Sequence, residues 1–284
     1  MKIVKTVSEI KKLITDSKSR GNRIGFVPTM GALHEGHLSL VRASKAQAEV
    51  TIVSIFVNPT QFALSEDLDK YPRTLDEDTN HLTNEGVDVL FVPSKEEMYP
   101  GGASTFVTVD NVTEGFESLI RPTHFRGVAT VVASLLNIVQ PDIAIFGQKD
   151  LQQAAVIKRM VRDLHFPINI VLAETVREPD GVAMSSRNRY LSSEERSESV
   201  ILYKTLLQVK GDLASGLPLK EVKLRGIKFF NSLKNKASLE YLDIVDPETF
   251  QLTDSFKQGT ETGVIIAAKI GTTRLIDNIL VKAK

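Results

Sequence analysis

The run Pro28-Thr29-Met30-Gly31-Ala32-Leu33-His34-Glu35-Gly36-His37 concentrates more potential chemistry than any other stretch of this chain. His34 and His37 are three apart, so in a helical turn their imidazoles share a face. Two imidazoles so placed can donate hydrogen bonds to a phosphoryl group as charge develops on it. Gly31 and Gly36 let the backbone approach a ligand closely, and a helix starting here offers unpaired N–H groups to phosphate. The structural alternative is one histidine capping the helix and one packing against it. Zinc is a poor fit, because the chain has no cysteine and no further clustered histidine to supply a third ligand. The spacing also differs from the metalloprotease helix, whose histidines are four apart.

Other residues of matching chemistry lie elsewhere. Lys149, in Phe146-Gly147-Gln148-Lys149-Asp150, is a cation in a turn directly after an apolar run; the alternative is a surface lysine. Asp150 beside it suits a helix N-cap. Ser185-Ser186-Arg187 offers two hydroxyls and a guanidinium, good phosphate ligands; taken alone it is an ordinary loop sequence, but between the two expected domains it is a loop able to close over a nucleotide. Gln61 and Gln153 carry amides that both donate and accept, the alternative being an exposed glutamine at each. Asn58 reads as a turn residue or a pocket amide, and Arg121 with His124 as further contacts. Asp76-Glu77-Asp78 invites a magnesium reading, since hard cations want carboxylate oxygens. Acids at a helix N-terminus compete with it, and Thr74 and Glu77 have capping-box spacing.

The elements that must carry these residues alternate. Short apolar runs rich in β-branched residues, at 24–27, 50–57, 87–92, 143–146 and 168–172, have the length of strands buried on both faces. Helical patterns at 36–48, 74–85, 125–139 and 150–164 lie between them, and another over 8–19 precedes them. This predicts an α/β fold, a Rossmann-like doubly wound parallel sheet with ligands at the carboxyl ends of its strands. After Pro179-Asp180-Gly181 the pattern changes to a loop, helices from Ser192 or Ser193 onward and over 219–233, and strands at 239–245, 263–270 and 274–279. The expected domains are 1–178, holding the nucleotide and its co-substrate, and a smaller C-terminal α+β lid domain, 179–284.

With 42% hydrophobic and 25% charged residues, the 284-residue chain has the balance of a globular protein. Thirty-five basic residues against thirty-five acidic ones leave no global field for nucleic acid or anionic lipid. No run approaches the ~18 apolar residues of a membrane span. The N-terminus lacks a signal-peptide core, and the absence of cysteine fits a reducing cytosol. A soluble, cytoplasmic protein is the expectation.

His34-Glu35-Gly36-His37 resembles the HIGH motif of the nucleotidyltransferase superfamily, and Pro28 to Leu33 before it make the match specific to the pantothenate synthetase family. Further segments match in order: Val57-Asn58-Pro59-Thr60-Gln61-Phe62, Tyr71-Pro72-Arg73, Arg121-Pro122-Thr123-His124-Phe125, Phe146 to Asp150 with Gln152-Gln153, Met184 to Asn188, and Arg274-Leu275-Ile276-Asp277-Asn278. The resemblance implies an ATP-dependent ligase that joins D-pantoate to β-alanine through a pantoyl adenylate, releasing pyrophosphate and then AMP. It implies that Met30, Gly31, Ala32, Leu33, His34, Glu35, Gly36, His37, Gly147, Gln148, Lys149, Asp150, Val176, Met184, Ser185, Ser186 and Arg187 meet ATP. Of these, His37, His34 and Lys149 are the catalytic expectation, Asp150 lies against the ribose, and Val176 and Met184 contact adenine. Gln61, Gln153, Asn58 and Arg121 are implied for pantoate and β-alanine, and Asp78 for Mg²⁺, with the ATP phosphates supplying most of its ligands. A homodimer is likewise implied.

Two other classes fit fewer residues. A nucleotidyltransferase acting on a phosphate monoester shares His-x-x-His but leaves Gln61, Gln153 and the second domain unaccounted for. A nucleotide-binding regulator that has lost catalysis has no use for His34, His37, Lys149 and Arg187 together. The short, neutral chain also lacks an appendage for tRNA.

Overall fold

A computed structural model describes residues 1–62, 68, 71–102, 104–256 and 259–282. The chain divides into two units, one of residues 1–147 with 156–174 and one of residues 148–155 with 175–284. The boundary thus falls four residues before the sequence-based division. Residues 148–155, expected in the first domain, group with the second. One helix supplies residues to both units, which local composition gives no means of seeing.

In the first unit, β1 (Lys2–Val4), β2 (Ile24–Thr29), β3 (Val50–Ile55), β4 (Val89–Phe91), β5 (Ile143–Gly147) and β6 (Asn169–Ala173) form one parallel sheet in the order β1-β4-β3-β2-β5-β6. β1, which the sequence reading left unassigned, pairs with β4. Between the strands run α1 (Val7–Ser19), α2 (Glu35–Lys45), α3 (Leu75–Asn84), α4 (Lys95–Met98), α5 (Glu117–Ile120), α6 (His124–Val139) and α7 (Leu151–Asp163). Ile24, Phe26 and Val27 are fully buried, as befits a strand with protein on both faces. α2 packs on β2, β3 and β5, while α6 reaches β2 and α1. Thr6 starts α1 with a capping box closed by Glu9, which fixes where the helix begins.

The strand order reverses beside β2. The chain runs from β2 through β3 and β4 on one side, and β5 and β6 occupy the other. In open α/β sheets that reversal, at the carboxyl ends of the strands, is where ligands bind. β2 there leads into residues 30–34, and β5 ends at Gly147.

The second unit begins with the 3₁₀ turn Gln148–Asp150 and the first residues of α7. It continues with a 3₁₀ turn Ser186–Tyr190 and helices α8 (Ser193–Glu198), α9 (Val200–Ala214) and α10 (Leu219–Leu233). Antiparallel strands β7 (Ser238–Val245), β8 (Glu261–Ile270) and β9 (Thr273–Lys282) complete it in the order β7-β8-β9. α9 packs on β8 and β9 and α10 on β7, with Leu206, Val209, Val222, Phe230, Val264 and Ile266 buried among them. No helix among the described residues is long and apolar enough to cross a membrane.

Candidate active site

The segment between β2 and α2 is held by a set of local bonds. Gly31 and Ala32 both take left-handed backbone, φ +82 and +51. For Gly31 this is unstrained, but for Ala32 it costs about 1–2 kcal/mol. The strain persists because neighbours fix it. Thr29 Oγ1 donates to Ser54 O (2.8 Å) and accepts from Gly31 N (3.2 Å). Asp78, 1% exposed on α3, accepts from Ala32 N on one oxygen (2.9 Å) and from Leu33 N on the other (2.8 Å). Thr74 Oγ1 donates to the same carboxylate at 3.3 Å.

This corrects one expectation and gives the residue of another a second role. The Thr74–Glu77 capping box does not form, because the Thr74 hydroxyl turns to Asp78 and makes no cap bond. Asp78, expected to reach Mg²⁺, commits both oxygens to the loop amides. Nor do the described residues contain a group of three or more His, Asp or Glu side chains able to hold a metal ion.

The two histidines cap α2 reciprocally. His34 is the N-cap, its Nδ1 accepting from Gly36 N at 3.1 Å, while His37 Nδ1 accepts from His34 N at 3.3 Å. Their ring centroids are 4.1 Å apart. The structural alternative thus holds for both residues, and it has a chemical consequence. A neutral imidazole that accepts at Nδ1 carries its hydrogen at Nε2, so each ring presents Nε2 as a donor at the head of α2. Capping and phosphate binding are one arrangement here, because the cap fixes both tautomer and ring direction.

A second cluster joins Asn58, Gln61, Tyr99, Arg121 and His124. Asn58, 1% exposed, caps the 3₁₀ turn Pro59–Gln61 by accepting from Thr60 N, and its Nδ2 donates to Gln61 Oε1 (3.1 Å) and Gly127 O (3.2 Å). It is thus a turn residue that also orients Gln61. Gln61 is buried, and its Nε2 lies 3.0 Å from Met30 Sδ. His124 contacts Gln61 O through Nδ1 (3.1 Å) and Arg121 Nη1 through Nε2 (3.2 Å). Since a guanidinium only donates, Nε2 accepts and Nδ1–H donates to the Gln61 carbonyl.

Tyr99 is a member that the sequence reading missed. Its hydroxyl donates to Asn58 Oδ1 at 2.8 Å, and burial pushes its phenol above the usual value, against a smaller opposing effect of Thr60. A lone tyrosine after a four-residue helix carries no sequence signal of such a role.

In the second unit, Lys149 Nζ pairs with Asp150 Oδ1 at 3.1 Å, and both residues belong to the turn that leads into α7. Gln153 lies one turn further on, partly exposed. Val176 O accepts from Met184 N (3.0 Å), which holds those two residues side by side. Ser185 caps the Ser186–Tyr190 turn by accepting from Arg187 N at 3.3 Å, and Arg187 is exposed.

The pantoate-β-alanine ligase family model matches residues 2–280. The chain belongs to that family. Pantothenate synthetase of Sulfurihydrogenibium sp. is 47% identical over 280 residues, covering 98% of this chain and 99% of that one. The enzyme of Thermoanaerobacter sp. is 48% identical over 280 residues, or 99% and 98% of the two chains. Among solved structures, pantothenate synthetase of Thermus thermophilus superposes with a TM-score of 0.92 at 43% identity, over 98% of this chain and 99% of that one. A Francisella tularensis pantoate-β-alanine ligase, complexed with beta-gamma ATP and beta-alanine, gives a TM-score of 0.81 at 36% identity, over 99% and 97%. As a member of this family the chain is an acid–amine ligase, which forms a carbon–nitrogen bond.

Proposed function

We propose that this chain condenses D-pantoate with β-alanine at the expense of ATP, with its catalytic work divided as follows. A pantoate carboxylate oxygen attacks the α-phosphorus of ATP, and pyrophosphate leaves. The amine of β-alanine then attacks the acyl carbon of the pantoyl adenylate, loses a proton, and expels AMP. The reciprocal imidazole cap carries this reading, because it aims two Nε2–H donors from the head of α2. His37 donates to the departing pyrophosphate, and His34 and Lys149 hold triphosphate oxygens. Mg²⁺ arrives as ATP·Mg²⁺ and adds positive charge beside the phosphates.

The first step is mainly a positioning problem, since the nucleophile must be held in line with phosphorus. Gln61, oriented by Asn58, presents its amide to the pantoate hydroxyls and carboxylate and lies near β-alanine. Gln153 serves pantoate as well, and Arg121 contributes through the His124 cluster. Val176 and Met184 meet adenine, Asp150 the ribose, and Ser185, Ser186 and Arg187 the phosphates. Two copies form a homodimer in the cytoplasm, as family membership supports.

Pyrophosphate release from ATP·Mg²⁺ and D-pantoate tests the scheme, first without and then with β-alanine. The expected result is a stoichiometric burst, followed by steady AMP and pantothenate once β-alanine is added. Release only with a phosphorylated acceptor would instead favour nucleotidyl transfer. In single turnovers, His37→Ala and Lys149→Ala are each expected to slow adenylation ~10²-fold or more with the fold intact. Near-normal rates in both variants would sink the assignment.

A further inference from the structure

The segment Arg274 to Asn278 matches the family pattern, yet the scheme above gives it no role. It lies on β9, where Asp277 and Asn278 pair in register with Ile266 and Ile265 of β8, a strand buried along most of its length. Two buried polar residues on the edge strand of this sheet, opposite apolar partners, call for an account of what they bind.

Asn278 is 2% exposed, and its whole side chain is engaged with one turn. Nδ2 donates to the carbonyls of Gln148 (2.9 Å) and Lys149 (2.8 Å), and Oδ1 accepts from Gln148 Nε2 (3.2 Å). Its main chain is fixed as firmly. Asn278 N donates to Asp277 Oδ1 (2.7 Å), and Asn278 O accepts from Arg177 Nη2 (3.1 Å). Arg177 in turn forms a two-pronged pair with Asp277 (2.7 and 3.0 Å), donates to Gly181 O (3.0 Å), and stacks 4.0 Å over the Tyr203 ring. Burial raises the Asp277 carboxyl pKa, and Arg177 opposes that rise.

We propose that Asn278, braced by the Arg177–Asp277 pair, is a positioning residue that sets Lys149 for adenylate formation. A lysine side chain is long and flexible, so where its ammonium acts depends on where its backbone is held. Asn278 grips the carbonyls of Lys149 and of the residue before it. Removing the amide takes a donor from each carbonyl, and the turn then shifts to find others. Displacement by about 1 Å far from the reacting atoms can cost ~10²-fold in rate. The inference rests on the reading of Lys149 as a triphosphate ligand.

A double-mutant cycle tests it, with single-turnover pyrophosphate release measured for wild type, Lys149→Ala, Asn278→Ala and the double variant. Asn278→Ala is expected to slow adenylation ~10- to 100-fold alone, and to add less than about 3-fold once Lys149 is gone. Hydrogen exchange in peptides spanning residues 147–154 should quicken, with the rest of the chain unchanged. If the two losses multiply, or if Asn278→Ala runs at the wild-type rate, the proposal falls while Lys149 keeps its role. A wild-type rate for Lys149→Ala overturns both readings. Should Asn278→Ala fail to fold, Asn278→Asp serves in the same cycle. It keeps the size and the acceptor for Gln148, and places an oxygen where the two carbonyls need a donor. Exchange that quickens throughout the chain in that variant would show a general structural role and overturn the proposal.

Discussion

At the scale of single residues, Asp78 separates two jobs that a carboxylate beside a phosphate loop can do. Its oxygens each accept one loop amide, at 2.9 and 2.8 Å, and those amides belong to the strained stretch before His34. Asp78→Asn must turn an amide –NH₂ toward one of two N–H groups, leaving that donor buried and unpaired. The expected cost is about 1–3 kcal/mol of stability, with slower adenylation because the His34–His37 cap loses its foundation. The magnesium concentration for half-maximal rate should stay within about twofold of wild type, because each carboxylate oxygen is already engaged with a loop amide. A large rise in that concentration, with full rate restored by excess Mg²⁺, would return Asp78 to the metal. The sequence showed the histidines, because a His-x-x-His after a strand has few uses. It left the work of Asp78 open, since an acid four residues past Thr74 reads equally well as helix chemistry.

At the scale of elements, the turn that carries Gln61 depends on how closely α6 approaches it. A Cβ at Gly127 would lie 2.6 Å from Gln61 Cα and N and would also strike Thr60 O, all of them backbone. Gly127→Ala must therefore move helix or turn, and overpacking of this kind costs about 1–3 kcal/mol. Pantoate KM should rise with it, while the KM for ATP changes little. An equal rise in both would locate the effect elsewhere. The second unit supplies a pH test. Arg196 of α8 pairs with Asp180 through two bonds, of 2.7 and 3.0 Å, and holds its carboxyl below the usual range. A depressed carboxylate pKa stabilises the fold above its unfolded value of about 3.9. That stability is lost as pH falls through the folded value. The pair is partly exposed, so the contribution is at most about 1 kcal/mol and shrinks in salt. Asp180→Asn should lower the midpoint of thermal unfolding at pH 7 slightly and leave it nearly unchanged near pH 2. A larger gap at pH 2 than at pH 7 would reverse the sign of this argument.

At the scale of the molecule, strands and helices were legible because burial on both faces writes continuous apolar runs, and helices write a 3.6-residue period. β1 escaped because three residues with only Val4 buried make no such run. The sequence division differs from the grouping of the structure because Gln148–Ala155 is continuous with β5 and α7 in sequence, while Gln148 and Lys149 bond to Asn278 of β9. The nucleotide proposal has a thermodynamic consequence. A ligand that binds only the folded chain stabilises it by about 2.7 kcal/mol at a hundredfold excess over Kd. Calorimetry with ATP·Mg²⁺ should therefore move unfolding upward. In the Lys149→Ala variant the shift should shrink, since the proposed triphosphate ligand has lost its charge. An undiminished shift in that variant would remove Lys149 from the nucleotide site.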